Sequence, residues 1–390
     1  MISVSQAQNH LFGLVQPLSS ETVPLTKAVG RVLAEDVVAT RNQPPFAASS
    51  MDGYAVKSVE VERHAMFKVI GEAAAGHAFN GPIRAGQAVR IFTGAPVPEG
   101  IDFIVIQEDT TRTGDIMTIA DDPGDRNNIR PAGGDFSIGT TLKAPRVLTP
   151  QDVALIASMN VPIVTVTRKP VVALISTGDE LVMPGETPGP DQIIASNTFG
   201  LKAMLESNGA IARLLPIARD TVSSLRTAFA MAAGADLVIT IGGASVGDHD
   251  LVGQVVGDLG MDRAFYKVAM RPGKPLMAGK LHGAATVGLP GNPVSAMVCG
   301  YLFILPMIRA MQGLGSQQQP LQQAALTADL GQNGPRQHYM RAVIEDGFVT
   351  VFDNQDSSLL TVLAQANALL VRPPHDPKRP KGDKVSYLKL

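Results

Sequence analysis

Cysteine is nearly absent from this sequence, with Cys299 as the one example among 390 residues. One thiol can build neither a disulfide framework nor a thiolate metal site. Because Cys299 stands in an apolar run, we expect a buried and inert side chain. Excess charge is missing as well, since 33 Lys and Arg face 35 Asp and Glu. Nothing indicates a nucleic-acid footprint, which needs a basic surplus on some face, so any anion site must be local.

Long apolar runs are also missing. The longest, residues 296–308, contains Gly300 and Pro306 and is shorter than the roughly 20 residues of a membrane span. The first five residues lack the basic start and apolar stretch that are typical of a signal peptide. We therefore expect a soluble, cytoplasmic protein. Its length exceeds that of one ordinary core, which predicts several domains.

Changes of residue pattern along the chain predict a multidomain α/β protein. Residues 1–43 and 146–168 are expected to form a helical, elongated N-terminal domain, in which one helix with a Ser5/Gln8 capping box packs against a second helix capped by Thr149 and Pro150. Residues 44–145 alternate short β-rich runs with Gly/Pro turns, which predicts an inserted β domain. In residues 169–316, strands alternate with helices, which indicates an open parallel α/β sheet. Residues 317–390, after a Gln-rich start, read as a small C-terminal β domain.

Five predicted strands of the α/β domain each end in a loop rich in glycine, acids or bases. The strands are 171–176, 214–217, 237–241, 266–270 and 285–289. In an open α/β sheet, ligands bind beyond the carboxyl ends of the strands, so we expect these loops to form one site. The candidate substrate- or oxyanion-binding residues in them are Thr177, Gly178, Asp179, Gly242, Gly243, Ser245, Gly247, Lys267, Arg271, Lys274, Pro290, Asn292, Pro293 and Ser295.

The residue types in these loops suit a magnesium–phosphate ligand. Paired glycines let the main chain approach a phosphate and offer it N–H groups. The acids are hard oxygen ligands with no His/Cys cluster nearby, which favours Mg²⁺. The basic residues supply positive charge for phosphate or another oxyanion. The acids are Asp179, Glu180, Asp220, Asp248 and Asp250, and the bases are Lys267, Arg271 and Lys274.

Each loop taken singly also fits an ordinary turn. Gly-Gly after a strand is often a tight turn, and Asp there is often a helix N-cap. Asn292 and Ser295 fit a helix cap as well as a ligand donor, and Pro290 to Pro293 fits a rigid turn. For His249, a solvated or hydrogen-bonded role is favoured over a metal role. Convergence of all five loops favours a site.

Three loops of the β domain carry a second group of polar residues. They contain Asp52, Thr93 and Asp135. The residue pattern by itself favours loops that pack on themselves.

Seven strings, in order along nearly the whole chain, resemble the molybdopterin molybdenumtransferase family, called MoeA in bacteria and related to the C-terminal part of gephyrin. They are SMDGYA at 50–55, TGAPVP at 93–98, RPAGGD at 130–135, STGDEL at 176–181, GGASVG at 242–247, RPGKP at 271–275 and GLPGNPVS at 288–295.

The resemblance implies a Mg²⁺-dependent enzyme that inserts molybdate into adenylylated molybdopterin and releases AMP. It implies a four-part subunit in a homodimer, in which the β domain of one subunit faces the α/β domain of the other, and a separate pterin adenylyltransferase as a possible partner. By motif, Lys267, Arg271 and Lys274 bind anions. The implied catalytic residues are Asp52, Thr93, Asp135, Glu180, Asp220 and Asp250, of which Glu180, Asp220 and Asp250 would hold the metal.

Some positions depart from the family pattern. Ala244 replaces the usual Val, Arg271 stands where some members have Lys, and Ala195 replaces a common Asp or Asn. Ser357 and Ser358 lie where the family has a contributing serine, on a weak alignment.

Two other functions remain open at this point. The α/β domain alone resembles pterin adenylyltransferases and CinA-type hydrolases, although the adenylyltransferases are usually a single small domain. A scaffold like gephyrin is the other alternative, although gephyrin has an additional N-terminal domain and a long linker.

Overall fold

The computed structural model describes residues 1–243 and 251–390, in two compact units. The first unit comprises Met1–Glu21, Gly30–Ala34 and Val166–Leu390, and the second comprises Thr22–Val29 and Glu35–Thr165. The domain boundaries within each unit stay a prediction. Residues 244–250 of the predicted glycine loop lie outside the described residues, and they include Ala244, Ser245, Gly247, Asp248, His249 and Asp250.

Helices occur in both units. The α-helices of the described residues are α1 (Val4–Leu14), α2 (Pro150–Ser158), α3 (Asn197–Ser207), α4 (Val222–Met231), α5 (Leu251–Asp258), α6 (Pro293–Cys299), α7 (Leu305–Met311) and α8 (Leu360–Gln365). A π-helical turn, Gly300–Ile304, joins α6 to α7 into one helical stretch. Short 3₁₀ helices are Leu25–Lys27, Ser58–Glu60 and Gln107–Asp109.

The predicted start of the first helix is wrong by two residues. Ser3 is the N-cap of α1: its hydroxyl accepts from Gln6 N at 3.1 Å, and Ser3 N donates to Gln6 Oε1 at 2.8 Å. Gln8, which we expected in the capping box, is buried and donates to the main-chain oxygen of Leu302 at 3.0 Å. The predicted cap of α2 by Thr149, with Pro150 in the first turn, is confirmed.

The strands of the described residues are β1 (Ser20–Pro24), β2 (Val32–Leu33), β3 (Val37–Val38), β4 (Ala48–Ser49), β5 (Gly53–Val56), β6 (Met66–Ala73), β7 (Gln87–Ile91), β8 (Phe103–Ile106), β9 (Thr110–Thr113), β10 (Ile116–Ile119), β11 (Ile129–Arg130), β12 (Thr141–Leu142), β13 (Arg146–Val147), β14 (Ile163–Thr167), β15 (Val171–Ser176), β16 (Leu181–Val182), β17 (Ile193–Ile194), β18 (Ile211–Leu214), β19 (Leu237–Ile241), β20 (Asp262–Tyr266), β21 (Met270–Arg271), β22 (Met277–Leu281), β23 (Ala284–Leu289), β24 (Gln322–Leu326), β25 (Gln337–Glu345), β26 (Phe348–Val351), β27 (Ala368–Arg372) and β28 (Lys384–Lys389).

The main sheet of the first unit is mixed, which corrects our prediction of an all-parallel sheet. Its order is β18-β15-β19-β23-β22-β20. The first four strands are parallel, whereas β22 is antiparallel to both β23 and β20. Two reversals restore the direction, so β20 runs the same way as the parallel strands. Its carboxyl end therefore lies at the same edge of the sheet as theirs.

Two predicted strands are misplaced and one was missed. The second strand is β18, not 214–217, because Pro216 cannot donate to a ladder. The fourth is β20, not 266–270, because Lys267 adopts a left-handed conformation with φ 69° that ends the strand. We missed β22, which pairs with β23 across a tight turn.

Helices cover both faces of this sheet. One apolar cluster includes Leu11 of α1, Leu201 of α3 and Met307 of α7. The opposite cluster includes Leu225 of α4 and Val255 of α5. Helix α1 thus packs in the core of the first unit, while α2 belongs to the second. Our expectation that the two helices pack together stays a prediction.

The tail of the first unit is a small barrel. Strands β25, β26, β24, β28 and β27 are neighbours in that order, and pairing of β25 with β27 closes the barrel. The two-residue strand β21 adds to β25 in parallel. The expected C-terminal β domain is therefore present, and it is linked by hydrogen bonds to the loop that contains Arg271.

The second unit is built on a six-stranded sheet, in the order β8-β5-β7-β6-β10-β9. Alternate residues of β5 point to opposite cores: Tyr54 and Val56 lie in one cluster and Ala55 in the other. The predominance of β-strands predicted for residues 44–145 is confirmed.

Among the described residues, one helical stretch, Pro293–Met311, has the length and apolarity of a membrane span. However, 83% of it is buried inside the protein, as is common for a core helix.

Candidate active site at the carboxyl edge of the mixed sheet

The loop after β15 contacts the loops that follow the two neighbouring strands. Thr177 N donates to the main-chain oxygen of Ile241 at 3.0 Å, and Gly178 N donates to that of Ala218 at 3.1 Å. Asp220 N donates to Asp179 Oδ1 at 3.1 Å. The structure therefore brings together the predicted residues of these loops.

Arg219 holds this arrangement in place. Its Nη1 lies within hydrogen-bond distance of three main-chain oxygens, those of Gly178 (3.4 Å), Asp179 (3.0 Å) and Leu181 (3.1 Å). This arginine was not among the residues predicted for the site. Its position directly before Asp220, at a predicted strand end, was the signal available.

The glycines of these loops are required by close packing and by left-handed backbone. Gly178 has φ 146°, and a Cβ atom there would lie 2.3 Å from a carboxylate oxygen of Glu180. Gly243 has φ 64°, and its Cβ would lie 2.3 Å from Val252. Glycine avoids both collisions, and at Gly178 this lets the main chain lie close to the Glu180 carboxylate.

Thr177 carries an orphan hydroxyl next to the glycine pair. Its side chain is buried, and its Oγ1 has no hydrogen-bond partner within residues 1–243 and 251–390. The same oxygen would lie 3.0 Å from a Cβ at either Gly242 or Gly243. A buried hydroxyl without a partner costs free energy, which fits a donor that meets a ligand at this point.

The loop after β23 joins the same group. Gly242 N donates to the main-chain oxygen of Leu289 at 3.2 Å. Asn197 Nδ2 donates to that of Gly291 at 2.7 Å. Asn292 makes no side-chain cap of α6; instead, its Nδ2 donates to Ser357 Oγ at 3.0 Å.

Two other predicted residues of this last loop, Pro293 and Ser295, lie in helix α6. Pro293 opens α6 in its first turn, and Ser295 is buried within the helix. The rigid-turn alternative is therefore sufficient for Pro293. A second hydrogen bond holds Ser357, because Val294 N donates to the main-chain oxygen of Ser357 at 3.1 Å.

The basic loop after β20 contacts the C-terminal barrel. Arg271 pairs with His338 in the parallel register of β21 and β25. Burial lowers the pKa values of His338 and Arg341, and the charge of Arg271 also lowers both. Lys267 lies with its ammonium nitrogen 5.1 Å from the centre of the Tyr266 ring.

Arg341 links the barrel to the site, and it was not among the residues predicted for the site. Its side chain is 2% exposed. Nη1 donates to the main-chain oxygen of Asp356 at 2.7 Å, and Nε donates to Gln355 Oε1 at 3.2 Å. It thus fixes the segment that ends in Ser357. An arginine inside the alternating apolar strand QHYMRAVIE was the available signal.

In the second unit, the structure brings Asp52 and Thr93 together. Asp52 Oδ1 accepts from Thr93 N and from Thr93 Oγ1, both at 2.7 Å. The main-chain and then the side-chain hydrogen bond hold the pKa of Asp52 below its ordinary value, so the carboxylate stays ionised. Asp135 is exposed, and its N–H donates to the main-chain oxygen of Gln43 at 2.9 Å.

Three family profiles match consecutive parts of the chain. They are the MoeA N-terminal region (domain I and II) at residues 2–160, a probable molybdopterin binding domain at 173–310 and the MoeA C-terminal region (domain IV) at 323–390. The molybdopterin molybdenumtransferase of Nostoc sp. is 36% identical over 410 residues, covering 100% of this chain and 94% of the relative. The chain belongs to the MoeA family of molybdopterin molybdenumtransferases.

Other relatives agree with this assignment. The molybdopterin molybdenumtransferase of Haemophilus influenzae is 35% identical over 381 residues, covering 95% of this chain and 94% of the relative. The crystal structure of the molybdopterin biosynthesis MoeA protein from Pyrococcus horikoshii has a TM-score of 0.84 and 27% identity, covering 100% of this chain and 99% of that one.

This MoeA-family chain is therefore an enzyme of molybdenum-cofactor biosynthesis. The match includes the second unit and the barrel. Both parts separate it from the single-domain adenylyltransferases that we considered as an alternative.

The structure describes two of the three carboxylates that were predicted to hold the metal ion. Glu180 and Asp220 belong to interacting loops, whereas Asp250 lies outside the described residues. Within the described part of the chain, no group of three His, Cys, Asp or Glu side chains is close enough to hold a metal ion. The donors present are hard oxygens, as Mg²⁺ prefers.

His338 of this MoeA chain predicts a pH-dependent stability. Burial, and then the charges of four arginines, lower its pKa from 6.5 to about 4. The unfolded chain therefore binds this proton more readily than the folded one. The stability that neutral His338 contributes is complete above pH 6.5 and is lost as the pH falls through 4.

We expect His338→Gln to remove this dependence. In urea titrations, the unfolding free energy of the parent should fall by about 3 kcal/mol more than that of the variant between pH 7 and pH 4. His77→Gln, at an exposed histidine of the second unit, is the control. If the parent and His338→Gln lose stability in parallel over this range, the interpretation is wrong.

Proposed function

We propose that this enzyme inserts molybdate into adenylylated molybdopterin with release of AMP, and that the reaction needs Mg²⁺. One observation carries the proposal: acidic, glycine-rich loops meet at one sheet edge, and Ser357, Arg341 and the barrel strand β25 connect them to a basic loop. A substrate with a pyrophosphate, together with an oxyanion, needs both kinds of surroundings.

The glycine loops are suited to the pyrophosphate. Glycine at positions 178, 242 and 243 lets the main chain approach phosphate oxygens closely. The buried Thr177 hydroxyl is available to donate to such an oxygen. In this proposal, Arg219 keeps the first loop in register with Asp220.

Mg²⁺ would be held by Glu180 and Asp220, with Asp250 as a third predicted ligand. When bound, the ion would neutralise charge on the phosphate of the leaving AMP. Asp179 contributes by accepting the N–H of Asp220, which fixes the loop that carries this carboxylate.

Molybdate is a substrate and would bind at Lys267, Arg271 and Lys274. Held there beside the dithiolene of the pterin, its transfer becomes effectively intramolecular. Fixed cations bind an oxyanion without reorganisation, and the barrel contributes to this by pairing its strand β25 with Met270 and Arg271 of the basic loop.

We further propose a homodimer with a composite site. Asp52, Thr93 and Asp135 of the second unit would act on substrate that is bound to the first unit of the other subunit. The ionised Asp52, oriented by Thr93, supports a catalytic role for this pair. A pterin adenylyltransferase would supply the substrate, and both proteins would be cytoplasmic.

The direct test uses the purified protein with adenylylated molybdopterin, molybdate and Mg²⁺. We expect AMP and molybdenum cofactor to form together, and neither to form when Mg²⁺ is replaced by EDTA. Formation of adenylylated pterin from ATP and molybdopterin by the pure protein would instead support the adenylyltransferase alternative.

A further inference from the structure

The main chain of the basic loop is held on one side by the start of the chain. Ile2 N donates to the main-chain oxygen of Lys267 at 3.2 Å, and Ala269 N donates to that of Ile2 at 2.8 Å. Ile2 therefore forms a parallel bridge with Val268. No sequence motif pointed to Ile2.

The C-terminal barrel holds the other side of the same segment. Gln337 N donates to the main-chain oxygen of Ala269 at 3.1 Å, and Met270 and Arg271 pair with the first residues of β25. Ala269 thus donates to Ile2 and is an acceptor for Gln337. The segment is the middle strand of a short three-stranded ladder.

This ladder sets the direction of the basic side chains. Val268 and Met270 are fully buried, whereas Lys267 is half-buried and Arg271 is exposed. The buried side chains of Val268 and Met270 fix this segment on the core, and Lys267 and Arg271 are the more exposed side chains beside them. A change in the ladder would therefore move the cations directly.

The conformation of Lys267 needs such support. Its φ of 69° is unfavourable for a residue with a side chain, and such residues persist where their surroundings hold them. Two hydrogen bonds do so here: Lys267 N donates to the oxygen of Leu276 at 2.9 Å, and its own oxygen accepts from Ile2.

Ile2 is itself well anchored. It packs against the core of the first unit, and the next residue, Ser3, caps α1. Val4 and Ala7 bury that helix in the same core. The loop is therefore tied to a rigid helix and not to a free chain end.

We propose that Ile2 is a positioning residue, whose main chain holds Lys267 and Arg271 in place for the oxyanion and so sets molybdate affinity. The inference rests on the proposed function, because it takes the basic loop as the molybdate site. Ile2 touches no reacting atom, so it affects KM for molybdate and not kcat.

The test is Ile2→Pro, which removes the N–H that donates to Lys267. Ile2→Val keeps this N–H and a β-branched side chain, and it is the matched control. Three measurements are made on the full-length variants: amide hydrogen exchange of residues 262–276, equilibrium dialysis with sodium molybdate alone, and KM and kcat in the complete reaction.

We expect faster exchange in residues 262–276 of Ile2→Pro and weaker molybdate binding by about tenfold, the usual effect of one lost hydrogen bond. KM for molybdate should rise by a similar factor with kcat unchanged, and Ile2→Val should match the parent. If Ile2→Pro does not fold, Ile2→Gly replaces it: it keeps the bonds but loses the apolar anchor, and about threefold weaker binding is expected.

Contrary results separate the two ideas. An active parent whose Ile2→Pro variant binds molybdate as tightly would overturn the inference and leave the proposed function intact. A fall in kcat at unchanged KM would overturn it as well. A parent that binds no molybdate would overturn the assignment of the basic loop, and the inference with it.

Discussion

Two inactive variants, Asp52→Asn and Glu180→Gln, are expected to restore about half of the parent activity when they are combined in one heterodimer. The physical reason is the composite site that we propose. One of the two sites in such a dimer then receives both damaged halves, and the other receives both intact ones.

Each variant alone should lose about 100-fold or more in AMP release, because a charged group that acts in the transition state is removed. Neither change should unfold the protein. Asn keeps an acceptor oxygen for the Thr93 N–H and hydroxyl, and Gln keeps the shape of the side chain that packs over Gly178.

The measurement requires heterodimers of known composition. The two variants are co-expressed with different tags, purified through both tags and assayed for AMP and cofactor. Asp52→Asn combined with Asp135→Asn is the control, because both changes lie in the second unit and every site stays damaged. Activity of the Asp52/Glu180 pair at the level of this control would show that each site is built within a single subunit.

Arg341→Met is expected to lower the free energy of unfolding by about 1–3 kcal/mol, the usual cost of leaving hydrogen-bond acceptors inside the protein without their donor. Met matches the length of the arginine stem but donates no hydrogen bond. Gln355 Oε1 and the main-chain oxygen of Asp356 would lose their donor. Because Arg341 lies on β25, whose first residues pair with Met270 and Arg271 of the basic loop, KM for molybdate should rise as well.

Urea titration and a molybdate KM measure the two effects of Arg341→Met. Arg309→Met, at an exposed arginine of α7, is the control and should change stability by less than about 0.5 kcal/mol. Arg341→Lys keeps the charge but not the planar fork, so it should recover only part of the stability. Equal stability of Arg341→Met and Arg309→Met would contradict the role that we give to Arg341.

Local patterns predicted the elements whose signals are contained in a few neighbouring residues. The apolar runs Val171–Ser176 and Leu237–Ile241 are buried strands, and Thr149 with Pro150 starts α2. Elements that depend on a distant partner were predicted poorly. Strand β22 has no distinctive local pattern and owes its existence to pairing with β20 and β23.

The loops of the candidate site show the same division. Glycines and acids at strand ends point to a ligand because their chemistry is local, and the strand direction places them at one edge. Arg219, Arg341 and Ile2 could not be selected in this way. Their importance lies in the carbonyl oxygens and N–H groups that they meet, which belong to residues far away in the chain.

The amino-acid order alone was thus sufficient for the family, the chemistry of the strand-end loops and most buried strands, because each depends on the kind and spacing of nearby residues. Three features required the folded chain: the reversal at β22, the packing of α1 on the first unit, and the ladder that joins Ile2, Ala269 and Gln337. Each is an alignment of main-chain groups or apolar surfaces between segments up to hundreds of residues apart. Such an alignment is selected by the free energy of burial and hydrogen bonding in the whole structure.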